Sequence, residues 1–171
     1  MITTRKISKN SIDFQKVKNL YRSAFPKEER VPIKNLLDTT QSELLAYYDR
    51  QTFCGFCSLL SLGDITHILF FAISKSLRGK GYGSAILNQI SKTHADQRII
   101  LDIEAVDPKA PNYAQRVRRK AFYLKNGYRE ADIRYRWHNV SYEILVKNGT
   151  ICRREWAAFW DYFDKAGQKE W

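Results

Sequence analysis

Residues 78–84 read RGKGYGS, placing three of the chain's eight glycines at alternate positions with two cations among them. The apolar run ILFFAI lies just upstream, and SAILNQI, with helical spacing, follows. Glycine admits positive φ and lets the backbone come close to a ligand. Alternating glycines can therefore aim successive N–H groups into one concavity that suits an anion. A helix starting there adds unpaired N–H groups and the positive end of its dipole. The chemistry suited to Arg78, Gly79, Lys80, Gly81, Tyr82, Gly83 and Ser84 is that of a phosphate or pyrophosphate cradle. The plainer reading of the same residues is a strand-to-helix turn with solvated cations.

Three kinds of cradle compete. A nucleotide P-loop needs a Ser or Thr after its Gly-Lys, and Gly81 follows Lys80 here. A dinucleotide fingerprint needs G-x-G-x-x-G; Gly79 and Gly81 fit, Asp102 lies where a ribose-binding acid would sit, but Ser84 holds the third glycine position. The third pattern, [RQ]-x-x-G-x-[GA], is met by Arg78 to Gly83, with the aliphatic Ile73 five places before the Arg. Further on, Phe122-Tyr123 is followed by Gly127-Tyr128. In these two motifs, and in the order of elements below, the chain resembles the GNAT superfamily of N-acetyltransferases.

That resemblance implies transfer of an acetyl group from acetyl-CoA to a primary amine. The CoA pyrophosphate would lie on the amides of residues 79–84, and the pantetheine arm would bond like a strand to Ile73 and Ser74 in a gap beside residues 70–74. A backbone N–H near Ile73 would polarise the thioester carbonyl. Tyr123 is the expected general acid for the departing thiolate. An ammonium acceptor has a pKa near 10.4 and must lose a proton. Glu104, at the end of a strand facing the gap, is the expected base, with Asp102 deeper on the same face. The junction AFPKEERVP brings Glu28 and Glu29 to the border of the acceptor site, although two glutamates at a helix start also serve as capping charges. One departure from the family pattern is Arg116, where many members carry Asn; it belongs to a basic run, Arg116 to Lys120, that either meets CoA phosphates or forms a solvated face. The loop AVDPKAPN before it is long for the family.

Positioning these groups requires a scaffold. Ser11 reads as the cap of a first helix, with Phe14, Val17, Tyr21, Ala24 and Phe25 as its stripe and Pro26 as its end. Pro32 suits the start of a short second helix bearing Ile33, Leu36 and Leu37. Strands are expected at 43–49, 53–60, 65–73, 98–104, 131–138 and 141–147, the last two joined by a turn at His138-Asn139. A helix follows the glycine turn; another spans 113–125 with Val117, Ala121 and Leu124 as its apolar row; a last one, near 153–165, carries Trp156, Phe159, Trp160 and Phe163. The order ααβββαβαββα predicts an α/β protein: one domain over 1–171 with a central mixed, mostly antiparallel sheet of six or seven strands, flanked by helices.

Composition sets the bounds. The chain has 171 residues, 44% of them apolar, enough for one cored domain. Its longest apolar run is six residues, against roughly 20 for a membrane span. No apolar stretch follows the basic N-terminus, so a cytoplasmic protein is expected. Cys54 and Cys57 form a C-x-x-C inside a strand-like run, where they would point to opposite faces as free thiols; no metal site is expected. The net charge of +11 suits anionic partners, and a basic nucleic-acid-binding module is the rival class, but no nucleic-acid-binding motif is present. A family member that binds acetyl-CoA without catalysis is a second alternative. The expected acceptor is a small-molecule amine, ahead of a peptide amine. The chain is expected to be a monomer, or a homodimer in which the aromatic end at Trp171 takes part.

Overall fold

Apolar runs between residues 42 and 147 become strands because their side chains fill two cores, one on each face of a single sheet. A computed structural model describes residues 1–37 and 40–167, with side chains of the last helix through Asp164. The part expected of Trp171 lies outside the described residues. The strands are β1 (Ile2–Lys6), β2 (Ser42–Asp49), β3 (Thr52–Leu62), β4 (Ile65–Ile73), β5 (Arg98–Glu104), β6 (Arg129–Trp137) and β7 (Val140–Lys147). The helices are α1 (Phe14–Ala24), α2 (Tyr82–Thr93), α3 (Tyr113–Lys125) and α4 (Arg153–Gly167). Sheet order is β1-β2-β3-β4-β5-β7-β6, and only β4 and β5 run parallel.

The two faces read directly from strand alternation. Leu101 and Ile103 join Ile86, Leu87 and Ile90 of α2 and Tyr123 of α3 on one face. On the other, Phe56 and Phe70 meet Val17, Leu20 and Tyr21 of α1, while Ile100 and Ile144 meet Phe159 and Phe163 of α4. Asp102 and Glu104 share the parity of Ile100, so they start out on the α1/α4 face.

The parallel pair is short. It runs from Ile65 opposite Arg98 to Ile68 opposite Leu101 and stops there. One residue later β4 bulges: Leu59 of β3 opposes Ile68 and Ser58 opposes Phe70, leaving Leu69 unmatched. A bulge bends its strand. Beyond it β4 stays with β3 as far as Ile73, and β5 stays with β7 as far as Glu104. The two strands part, and a seam opens between them.

Several sequence expectations change. β1 was not expected, because its burial runs from half-buried Ile2 to four exposed residues; backbone pairing to β2 holds it, not side-chain burial. Ser11 does not cap α1: its Oγ accepts the Ser8 N–H at 2.8 Å, and the helix starts at Phe14 behind Asp13. The short second helix is one 3₁₀ turn over Ile33–Leu36, and the residues Lys27–Glu29 form another. Cys54 and Cys57 do not face opposite ways, since a bulge at Cys54 (Tyr47 opposes Gly55, Tyr48 opposes Phe53) turns both free thiols into the same cluster. The expected apolar row of α3 is exposed, with Val117 at 39% and Leu124 at 42%, while Arg116 and Tyr123 are buried. The His138-Asn139 hairpin turn forms as expected, with both residues at positive φ.

These packings separate two substitutions. Phe159→Ala removes a ring that is 1% exposed and should cost about 3–5 kcal/mol. Val117→Ser, although at a position expected in the core, should change stability by less than about 0.5 kcal/mol. Urea denaturation of the two variants checks both values.

Candidate active site

The glycine turn sits where β4 gives way to α2. Gly79 and Gly81 adopt φ of 74° and 85°, and Gly81 is the residue before the first helical one. Among the described residues no backbone acceptor takes the N–H groups of residues 79–84; the first bond back is Ala85 N–H to Gly81 O at 3.1 Å. Six consecutive donors thus lead into a helix start without a backbone partner, and a helix start favours an anion. Arg78 and Lys80 are exposed beside them. Arg78 Nε also donates to Ile73 O at 3.2 Å, which ties the turn to the end of β4. Tyr82 does something different with its side chain: its hydroxyl donates to Asp49 Oδ2 at 2.9 Å, fixing the start of α2 to β2.

Ile73 and Ser74 part company at the seam. The Ser74 N–H bonds Cys54 O at 2.8 Å, and its Oγ bonds Phe53 O at 3.1 Å, so Ser74 is committed to β3. Neighbouring residues of a strand point their N–H groups to opposite sides. Of the two, Ile73 is the one whose N–H faces the seam. The second motif arrives at the same place. A Cβ on Gly83 would lie 3.0 Å from Cζ of Phe122 and 3.8 Å from Cγ1 of Ile73, so glycine there lets α2 and α3 approach. Phe122 and Ile73 both pack on the cluster that holds Tyr123. Tyr123 meets Tyr128 edge-on at 5.6 Å, and burial pushes its phenol up to about 12 while Arg119 pulls it slightly down.

Carboxylates gather on the other side of the seam. Glu104 is held by Arg116 Nη2 at 3.0 Å, by Arg119 Nη1 at 2.9 Å and by Asn112 Nδ2 at 3.3 and 3.2 Å to its two oxygens. Asp102 receives Tyr135 OH at 2.6 Å, and His67 Nε2 lies 3.0 Å from its other oxygen. Glu28 is exposed, but Glu29 is half-buried and lies beside Glu104, Arg119 and Tyr142. Burial, then the charge of Glu104, raise the Glu29 carboxyl above its ordinary value. Tyr142 and Tyr135 stack at 5.4 Å, and Trp156 lies 5.1 Å beyond Tyr135. Tyr135, Tyr142 and Glu104 occupy one cross-strand row, so α1's exit, β5, β7, β6 and α4 all contribute to one wall.

Residues 40–130, more than half of the chain, match the family model described as acetyltransferase (GNAT) domain. The chain belongs to the GNAT acetyltransferase family. Solved structures share the fold. A GNAT-family chain from Bacteroides thetaiotaomicron aligns over 98% of this chain and 99% of its own, at TM-score 0.80 and 16% identity. The Escherichia coli ribosomal-protein-S18-alanine N-acetyltransferase aligns over 89% and 96%, at TM-score 0.65 and 16% identity. A GNAT acetyltransferase from Elizabethkingia anophelis, determined with acetyl-CoA bound, aligns over 85% and 97%, at TM-score 0.60 and 15% identity. A search of curated proteins returns no match.

In this GNAT chain three of the four cations in the basic run of α3 pair with carboxylates of the protein itself. Arg116 is buried: besides Glu104 it bonds Asn112 Oδ1 at 2.8 Å and Ala105 O at 3.0 Å. Lys120 reaches Glu130 and, at 3.0 Å, buried Glu143. Only Arg118 of the run stays outside. Sequence reading missed the roles of His67, Tyr135 and Tyr142, since each comes from a strand whose partner is set by the sheet; the one local signal was period two along β5. No helix among the described residues is long and apolar enough to cross a membrane.

Because Arg116 and Glu104 are 10% and 13% exposed, removing one charge strands the other. Glu104→Gln should destabilise by roughly 3 kcal/mol. Adding Arg116→Met should recover most of that loss, read as a shift of the urea midpoint.

Proposed function

We propose that the protein is an N-acetyltransferase that moves the acetyl group of acetyl-CoA to a primary amine by direct attack. The observation that carries this reading is the meeting of both motifs at the open seam. The free N–H groups of residues 79–84, the Ile73 edge of β4 and the buried phenol of Tyr123 share one face of the sheet. The half-buried carboxylate wall lies on the other.

Each part has a task. The amides of residues 79–84, with Arg78 and Lys80, hold the pyrophosphate. The Ile73 side of β4 offers main-chain groups to the pantetheine amides as a neighbouring strand would. The Ile73 N–H polarises the thioester carbonyl, whose oxygen gains charge as the amine attacks. Tyr123 stays protonated throughout the neutral range because burial lifts its phenol to about 12, and it donates to the leaving thiolate. Glu28 and Glu29, which form no ion pair among the described residues, bring negative charge to the acceptor side in a chain of net charge +11, which suits a cationic amine. A small-molecule amine is the favoured acceptor over a peptide amine, and the reaction asks for no metal. The cytoplasm, where acetyl-CoA is available, is the proposed location. The nucleic-acid reading loses support from α3, three of whose five cations pair with carboxylates.

Calorimetric titration with acetyl-CoA tests the cradle. Binding is expected for the unaltered protein and should be lost in Gly81→Asp/Gly83→Asp, which places two anions among the N–H donors. No binding at millimolar acetyl-CoA would overturn the assignment. Tyr123→Phe should lower kcat by about 100-fold with little change in the KM for acetyl-CoA.

A further inference from the structure

The acceptor wall holds three partly buried carboxylates, and they are not equivalent. A base needs a lone pair free to take a proton within reach of the reacting nitrogen. Glu104 has four donor contacts from Asn112, Arg116 and Arg119 on its two oxygens. Asp102 has Tyr135 on one oxygen and His67 on the other. Glu29 forms no ion pair among the described residues, and only the Tyr142 hydroxyl approaches it as a donor. Its 3₁₀ turn hangs at the exit of α1, and its side chain turns inward while that of Glu28 points to solvent.

We propose that Glu29, and not Glu104, is the general base that deprotonates the acceptor ammonium, and that Glu104 is a positioning residue that anchors α3 to the end of β5. The inference rests on the acetyl-transfer reading above. The groups facing Glu29 are Glu28 on its own turn, Glu104 of β5, Arg119 of α3, Tyr142 of β7 and, further off, Tyr135 of β6. Burial and then Glu104 raise the Glu29 carboxyl above its ordinary value, against the opposing pull of Arg119 and Tyr142, which strengthens it as a base.

The protons and electrons balance as follows. The ammonium gives one proton to the Glu29 carboxylate, and the freed lone pair forms the C–N bond to the acetyl carbon. The carbonyl π pair moves to oxygen, beside the Ile73 N–H. On collapse the carbonyl re-forms, the C–S bond breaks with its pair on sulfur, and Tyr123 protonates the thiolate. The new amide nitrogen releases its second proton through water to the Tyr123 phenolate, and Glu29 returns its proton to solvent.

Kinetics are run with the best acceptor among spermidine, kanamycin and a peptide with an N-terminal alanine. Glu29→Gln should lower kcat at neutral pH by about 100-fold or more and leave the KM for acetyl-CoA unchanged. The acidic limb of the kcat/KM profile, expected above the ordinary glutamate range, should disappear, and the defect should shrink toward pH ~10, where the amine sheds its own proton. Glu104→Gln, measured alongside, should keep the limb. In protein carrying ¹³C at glutamate carboxyls, the resonance lost in Glu29→Gln should titrate above the ordinary range. A limb that survives Glu29→Gln, or an ordinary titration, overturns the base assignment alone. No turnover with any of the three amines, despite acetyl-CoA binding, overturns the acetyl-transfer reading and the base role with it.

Discussion

The seam between β4 and β5 is the constraint on which the rest of the molecule turns. A sheet gains stability from continuous ladders, and here a ladder is interrupted after four residue pairs. The interruption begins at the Leu69 bulge, where the extra residue turns β4 away from its parallel neighbour. Each strand keeps a full ladder on its far side, β4 with β3 and β5 with β7, so the opening exposes main-chain groups without unravelling the sheet. Both ends of the seam are held. At the closed end Arg98 grips Asp64 with two bonds of 2.9 and 3.0 Å and reaches Glu155 and Thr150 O across to the start of α4. At the open end Arg116 joins α3 to Glu104 and to Ala105 O. Arginine suits both places, because one planar fork can satisfy several acceptors fixed by different elements.

The division of labour between the two faces follows from alternation along β5. Leu101 and Ile103 complete the core under α2 and α3, the side on which the glycine turn and Tyr123 stand. Asp102 and Glu104, one residue out of phase, belong to the side closed by α1's exit and α4. The proposed reaction, between a thioester on one side and an amine on the other, needs an opening through the sheet, and the seam offers one. The same geometry lets a strongly basic chain gather Glu29, Asp102 and Glu104 along one wall. Net charge describes the whole surface, while the field at a cleft depends on the few groups that line it.

Helix α3 shows how burial of charge overrides an apolar pattern. Val117, Ala121 and Leu124 form a row that would normally turn inward. Beneath the helix, however, lies Glu143, 4% exposed, and the end of β5 brings Glu104 within reach of Arg116 and Arg119. An unpaired carboxylate in such surroundings costs more than an exposed valine and leucine. The helix therefore rotates Arg116, Lys120 and Tyr123 toward the sheet and leaves its aliphatic row outside.

Sequence by itself determined the elements and the two motifs. Six of the seven strands, the glycine turn and all four long helices are local patterns of period two, period 3.6 or glycine spacing, and each was legible without tertiary contacts. β1 was not, because a strand at a sheet edge is specified by the neighbour that offers it hydrogen bonds; Ile2–Lys6 carries almost no burial pattern of its own. The start of α1 was misread because Ser11 found a nearer partner in Ser8. The glycine turn was legible for the same reason as the strands, since consecutive residues make it. Which side of α3 faces inward, that Ser74 turns to β3, that Cys54 bulges, and how three glutamates and an aspartate divide their donors were decided by tertiary structure alone. Those outcomes depend on groups distant in sequence competing for the same hydrogen bonds and the same buried space, and no local spacing records who wins.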